Sequence, residues 1–434
     1  MARSTMGSSA IGFAFSAVLS HRKDCYLEPE LAEGRCMKRT VFPLLVAAVF
    51  VMLIVVSTAK VTASTSATPV PPTYFGLTVV NSQLTPVLKS GTSRSWDTWP
   101  HPDWADINPS AGVYKLGAVD SFIAANVGRD MIYTFGRTPQ WASSQPNAHT
   151  DYGPGQCAPP TDLANWDSYV RTVVTRAAGR IKYWELWNEP QNTTYYCGDI
   201  PTMVKLAQHA RQIIKSIDHS AIILSPGVTS AYGPPWLSTF LADGGASTVD
   251  VIAFHGYGSS KAEDLLALIA RYRAVMAANG VSQLPMWDTE ASNGKATADF
   301  LSKYYLLHWS AGIARFLWYS YDGAPQWGQI WNPTAGPSAA AIAYTQTYNW
   351  MIGAILTSPC AADVSSVWTC EFSRPHYKAK AVWSSKGTAT LTVPSAFIEY
   401  RDLTGAVHPI KSGSVSVGSD PILIETGPLP APRS

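Results

Sequence analysis

Charge is scarce in this 434-residue chain: 14% of residues are Asp, Glu, Lys or Arg, and 32 cations against 30 anions leave a net +2. Such a balance supplies neither a basic field for nucleic acid nor an acidic tail, and it points to a neutral ligand. Metal-binding spacings are missing too, because neither Cys-x-x-Cys nor His-Glu-x-x-His occurs. Zinc centres of those types are excluded, and no motif calls for a cofactor. There is no internal repeat and no long low-complexity tract. Only one apolar run, 41–58, approaches the length of a membrane span.

That run follows Met37-Lys38-Arg39-Thr40 and precedes the small residues Ser57-Thr58-Ala59 and Val61-Thr62-Ala63. A basic start, an apolar stretch and small residues in this order read as a secretory signal over 37–63. An uncleaved membrane anchor is the alternative, since the run is nearly long enough to span a bilayer. Residues 1–36 show neither periodicity nor signal logic, so translation is expected to begin at Met37, or else 1–36 form a short cytoplasmic segment. Ser, Thr and paired Pro make 64–72 a linker. The remainder is expected to be secreted or extracytoplasmic, where disulfides persist. Cys25 and Cys36 precede the signal, and Cys157, Cys197, Cys360 and Cys370 follow it. Cys157 lies before and Cys197 after one strand-like run, so a bridge there would brace one rim, while Cys360 with Cys370 would close a short loop. These are the expected pairs among the three that four cysteines allow.

What the chain does have is aromatic: 16 Trp and 20 Tyr, side chains that fill cores and also stack on apolar sugar faces. Strand-like runs begin near Tyr74, Thr92, Asp130, Ile181, Ala221, Val249, Gln283 and Ala314, mostly separated by segments of helical period. Eight strands in that rhythm predict a (β/α)8 TIM barrel over 73–358. The clearest helix is 262–278, with Leu265, Leu268, Ile269, Tyr272 and Met276 on one apolar face. Ser260 and Glu263 form a capping-box pattern before it, and Asn279-Gly280 ends it. About eighteen residues separate Tyr74 from Thr92, so a short helix is expected between them. From 359 to 434 the pattern changes to short runs at 367–372, 378–383, 388–393, 397–402 and 422–425, with Lys386-Gly387 and Thr404-Gly405 as turns. This predicts a small C-terminal antiparallel β-sandwich.

Two of the runs end on an acid. In Tyr183-Trp184-Glu185-Leu186-Trp187-Asn188-Glu189-Pro190 an aromatic strand stops at Pro190, which cannot donate to a ladder, so Asn188 and Glu189 fall at its carboxyl end. Leu284-Pro285-Met286-Trp287-Asp288-Thr289-Glu290 repeats the arrangement. At about 35 residues per βα unit, the 101 residues between the two glutamates span about three units, which places them after strands 4 and 7. The carboxyl ends of barrel strands share one rim, where barrel enzymes keep their chemistry, so the two acids are expected to act as a pair.

Trp-Asn-Glu-Pro at 187–190, Trp-Asp-Thr-Glu at 287–290 and His255-Gly256-Tyr257 between them resemble the clan A retaining glycoside hydrolases, family 39 in particular. The resemblance implies an O-glycosidase with Glu189 as acid/base and Glu290 as nucleophile, and a carbohydrate partner. It also implies that Asn188 binds the sugar 2-hydroxyl, that Tyr257 bonds the nucleophile and that His255 lies near the acid/base. Arg94 either donates to Glu290 or pairs with Asp97. Trp318 matches the clan's sugar platform, although Tyr319 or Tyr321, on the opposite face, is the alternative. Trp141, Trp327 and Trp331 are either outer subsites or packing residues. Asn192-Thr193-Thr194 is a glycosylation sequon in a eukaryotic host. An inactive glycan-binding protein and a transglycosylase with the same two acids are the competing readings.

Overall fold

The computed structural model of the chain describes residues 68–257 and 260–431. The expected signal or anchor at 37–63, the segment before it, Cys25 and Cys36 lie outside these residues. Among the described residues no helix is long and apolar enough to cross a membrane.

Eight parallel strands form the barrel: β1 Phe75–Leu77, β2 Thr92–Arg94, β3 Asp130–Thr134, β4 Tyr183–Glu185, β5 Ile222–Leu224, β6 Ile252–His255, β7 Met286–Ala291 and β8 Arg315–Trp318. Strand β5 is broken at Ser225-Pro226-Gly227, and its continuation Val228–Thr229 pairs with β6. Pro226 has no N–H to give the ladder, which accounts for the break. The bridge between Leu224 and Val251 closes the ring. The interior is tightly filled: a Cβ on Gly76 would lie 2.2 Å from Leu317 Cγ on the neighbouring strand, so only glycine fits there.

Every strand but the first is followed by helix: α1 Trp104–Ile107 and α2 Gly117–Ala125 after β2, then α3 Leu163–Ala177, α4 Ile200–Ile217, α5 Gly233–Ala242, α6 Leu265–Ala278, α7 Ala298–Ser310 and α8 Ala339–Met351. The helix expected between β1 and β2 does not form, and 78–91 is a run of turns that includes Pro86. Its covering role falls to α8, whose Tyr344 and Tyr348 rings lie 5.7 and 4.9 Å from Phe75. Helix α6 buries the five predicted apolar residues, preceded by a 3-10 turn, Ala262–Asp264. The expected capping box is not made, because Glu263 instead accepts from the Trp383 indole at 2.7 Å.

The C-terminal sheets begin slightly earlier than expected, with β9 Ile355–Ala362 continuous with the end of the barrel. It joins β10 Val367–Arg374, β11 Tyr377–Ser384, β13 Glu399–Arg401, β14 Val407–Pro409 and β16 Ile422–Glu425 in a six-stranded antiparallel sheet. Strands β12 Ala389–Thr392 and β15 Ser414–Val417 pair as the facing two-stranded sheet. A small core of Val382, Val393, Val415, Val417, Ile422 and Ile424 lies between them. Strands β9, β14 and β15 were not evident in the sequence. The fold is thus a TIM barrel with a β-sandwich packed on it through α7, where Trp309 meets Phe372 at 5.5 Å.

Candidate active site

Strand β4 runs into Leu186 and Trp187, and the Asn188–Gly227 bridge then holds the chain beside the broken fifth strand. The Glu189 N–H donates to the Gly227 carbonyl at 2.7 Å, and Glu189 adopts φ 44°. That left-handed conformation costs a non-glycine residue on the order of 1–3 kcal/mol and is found mainly where surroundings enforce it, as at functional sites. It turns the carboxylate into a cleft of about 540 Å³ at the carboxyl ends of the strands. Glu290, near the end of β7, faces the same cleft. Both glutamates are 8% exposed. A carboxylate oxygen of each, together with a ring nitrogen of His255, all lie within 4.8 Å of one another.

The two acids have different partners. Glu290 accepts from Arg94 Nη1 at 2.6 Å and from the Tyr257 hydroxyl at 3.0 Å. Glu189 meets His255 Nδ1 at 2.7 Å. Burial raises Glu290 to about 7, against the pull of His255 and Arg94 and with further upward pressure from Glu189. Burial opposes charge on His255, but Glu290 and the bond to Glu189 outweigh it and raise the imidazole above its ordinary value.

Arg94 is wholly buried and uses its fork on three acceptors: Nε on Glu185 at 2.6 Å, Nη1 on Glu290, and Nη2 on Asn188 Oδ1 at 2.7 Å. Glu185 also accepts from Thr134 and Thr289 hydroxyls at 2.7 Å each, so this buried carboxylate is fully engaged. It had not been singled out in the sequence, although an acid inside an apolar strand is the informative kind of exception. Asp288 is a second acid buried within a strand. It accepts from His308 at 2.7 Å and from the Gly256 and Glu290 N–H groups at 3.2 Å each, bracing the segments that carry Tyr257 and Glu290.

The Arg94–Asp97 pair considered as an alternative is not formed. Asp97 instead lines the cleft and accepts from the Tyr152 and Tyr319 hydroxyls at 3.0 and 2.9 Å. Trp318 is not in the cleft: it is fully buried, with its indole N–H on the Gly328 carbonyl at 2.8 Å. Its neighbour Tyr319 faces the cleft, and Tyr321 is buried against Trp331 at 5.1 Å. Trp327 lines the cleft, whereas Trp141 stands outside its lining with its indole bonded to the Asn108 carbonyl. Tyr152 and Tyr195, the remaining aromatic walls, come from loops that the Cys157–Cys197 disulfide ties together. Cys360 and Cys370 form the second disulfide. Glu189, His255 and Glu290 have metal-ligand spacing, yet the Arg94 guanidinium already supplies positive charge there and would repel an ion.

The (β/α)8 barrel thus presents two carboxyl groups in one cleft, at the ends of strands 4 and 7. The model of the family described as glycosyl hydrolase catalytic core matches residues 117–321. Among solved structures, the chain is similar to a family 39 β-xylosidase from Caulobacter crescentus: 18% identity, TM-score 0.62, covering 84% of this chain and 98% of that one. It is similar also to a glucosidase from Croceicoccus marinus, at 14% identity and TM-score 0.58 over 84% and 97% of the two chains. A family 30 subfamily 8 xylanase from Clostridium acetobutylicum gives 15%, 0.58, 84% and 97%. No curated protein matches the sequence.

Proposed function

We propose that the chain is an exported retaining β-glycosidase that works by double displacement. The observation that carries this reading is that Glu189 and Glu290 face one cleft with a carboxylate oxygen of each within 4.8 Å of the other. Retaining enzymes hold their two carboxyl groups about 5–5.5 Å apart, whereas inverting ones leave about 6.5–9.5 Å for a water molecule. In the first half-reaction Glu290 attacks the anomeric carbon while Glu189 gives its proton to the departing oxygen. In the second, Glu189 takes a proton from water as water displaces Glu290.

The partners of each acid support these roles. Arg94 and Tyr257 hold and aim the carboxylate of the nucleophile, and His255 can donate through Nδ1 when Glu189 has given up its proton. Asn188 has its oxygen taken by Arg94, so its NH2 is what remains for a sugar hydroxyl. Tyr319, in place of Trp318, serves as the aromatic floor. Export is supported by the leader-like 37–63 and by the two disulfides.

The β-xylosidase, glucosidase and xylanase neighbours make xylosides and glucosides the first substrates to test. The purified chain should release aryl alcohol from an aryl β-glycoside, and proton NMR should show the β-anomer as first product. An α-anomer as first product would overturn the retaining mechanism; no release from any aryl β-glycoside or β-linked polysaccharide would overturn the glycosidase reading.

A further inference from the structure

The catalytic cleft is not a closed cup. It shares Ser230 and Tyr257 with a second cavity of about 730 Å³, which lies over the amino-terminal end of α6 beside Leu265 and Leu268. That cavity in turn shares Ser260 with a third, of about 340 Å³, at the junction of barrel and sandwich. A short glycoside occupying the two acids would use only the first of them.

The third cavity has the features of a sugar platform. Trp368 on β10 lines it and is half-buried. Its ring lies parallel to that of Trp383, with centroids 5.7 Å apart and planes 2° from parallel. Trp383 is itself fully buried and anchored to Glu263 through its indole N–H. Trp368 is therefore fixed before any ligand arrives, and a rigid aromatic face binds an apolar sugar face at little cost in side-chain freedom. The surrounding wall is rich in hydroxyls, Ser260, Ser384, Ser385 and Ser419, which suit a polyhydroxylated ligand. The charges of this wall, Lys261, Lys303 and Lys386 against Glu263 and Asp299, nearly balance, and Lys303 is paired with Asp299 at 2.9 Å, so little net charge faces an anionic polymer.

We propose that the three cavities form one trough, which carries a neutral polysaccharide from the catalytic cleft to the barrel–sandwich junction, with Trp368 as its stacking platform. The proposal rests on the glycosidase reading above. It makes the preferred substrate a polymer and gives the sandwich a part in binding it.

The test combines a binding and a kinetic measurement. In the Glu290→Gln protein, migration is followed through native gels containing barley β-glucan, arabinoxylan or polygalacturonate. At least one of the two neutral polymers should retard the protein, Trp368→Ala should weaken that retardation about three- to tenfold, and Trp368→Phe should restore most of it. In the active protein, Trp368→Ala should lower the polymer-to-aryl-glycoside ratio of kcat/KM by a similar factor. A ratio unmoved by Trp368→Ala, or an equal loss on both substrates, overturns the trough while leaving the hydrolase reading intact. Retardation by polygalacturonate alone overturns the neutral ligand. If the gels respond to Trp368 but no glycoside is cleaved, the trough stands and the hydrolase reading falls.

Discussion

Glu290 links the stability of the fold to pH. Its carboxyl has an ordinary value of 4.5 and is raised by burial to about 7 in the folded chain. The folded state therefore holds this proton more tightly than the unfolded chain does. Stability from this source is full below about 4.5, declines as pH rises through 7, and is flat above. At about 1.36 kcal/mol per pH unit the decline amounts to about 3 kcal/mol, a large part of the 5–15 kcal/mol typical of a domain. Glu290→Gln removes one charge of the pair, and Arg94 retains Glu185 and Asn188 as partners, so the variant keeps its buried cation satisfied. Urea unfolding followed by tryptophan fluorescence at pH 5 and pH 8 should show the wild type losing about 3 kcal/mol more than Glu290→Gln between the two conditions. Glu189→Gln should recover only part of the difference, since burial outranks Glu189 among the causes. Asp103, raised by burial to about 6, adds its own decline to both proteins and cancels in the comparison. Parallel losses in wild type and Glu290→Gln would refute the reasoning.

Stereochemistry assigns the two acids: with an activated aryl glycoside, azide should rescue Glu189→Ala to a β-glycosyl azide and Glu290→Ala to the α-anomer, and the reverse outcome would exchange their roles. Glu189→Ala should also slow unactivated substrates about 10²–10⁴-fold, as measured by steady-state kinetics. Replacing Cys157 and Cys197 by Ser should cost about 2–5 kcal/mol in urea unfolding and raise KM more than it lowers kcat, because Tyr152 and Tyr195 lose their shared brace. Asn192 of the sequon lines the cleft, so protein made in a eukaryotic host should carry a glycan there by mass spectrometry and be inactive on polymers, with activity regained in Thr194→Ala.

Much of the barrel was legible because the residues that make it act locally. Branched and aromatic runs define strands, and a proline or acid at the end of a run marks the rim. What escaped the sequence depends on partners far along the chain. Glu263 looks like a capping residue until Trp383, 120 residues away, claims its carboxylate. The helix expected after β1 is replaced by turns because α8, from the far end of the barrel, covers that strand. Glu185 reads as an anomaly in an apolar strand until Arg94, 91 residues earlier, is seen to need it.

The exchange of Trp318 for Tyr319 shows where the limit lies. Alternation along β8 puts the two on opposite faces, but it cannot say which face opens to the cleft. That choice is made by the neighbouring strand, where the β7–β8 register shifts between Asp288 and Ala291, and by the Gly328 carbonyl that captures the Trp318 indole. The acids tolerate such shifts because each is fixed by its own strand end and by Arg94 or His255. The aromatic walls do not, since Tyr152, Tyr195 and Trp327 sit on loops whose course is set by a disulfide and by turns. On the proposed reading, reaction type is encoded in short motifs, while the choice of sugar is encoded in loop geometry. Substitutions in Asn188, Glu189 or Glu290 should abolish chemistry on every substrate alike, and substitutions in the walls should redistribute activity among substrates.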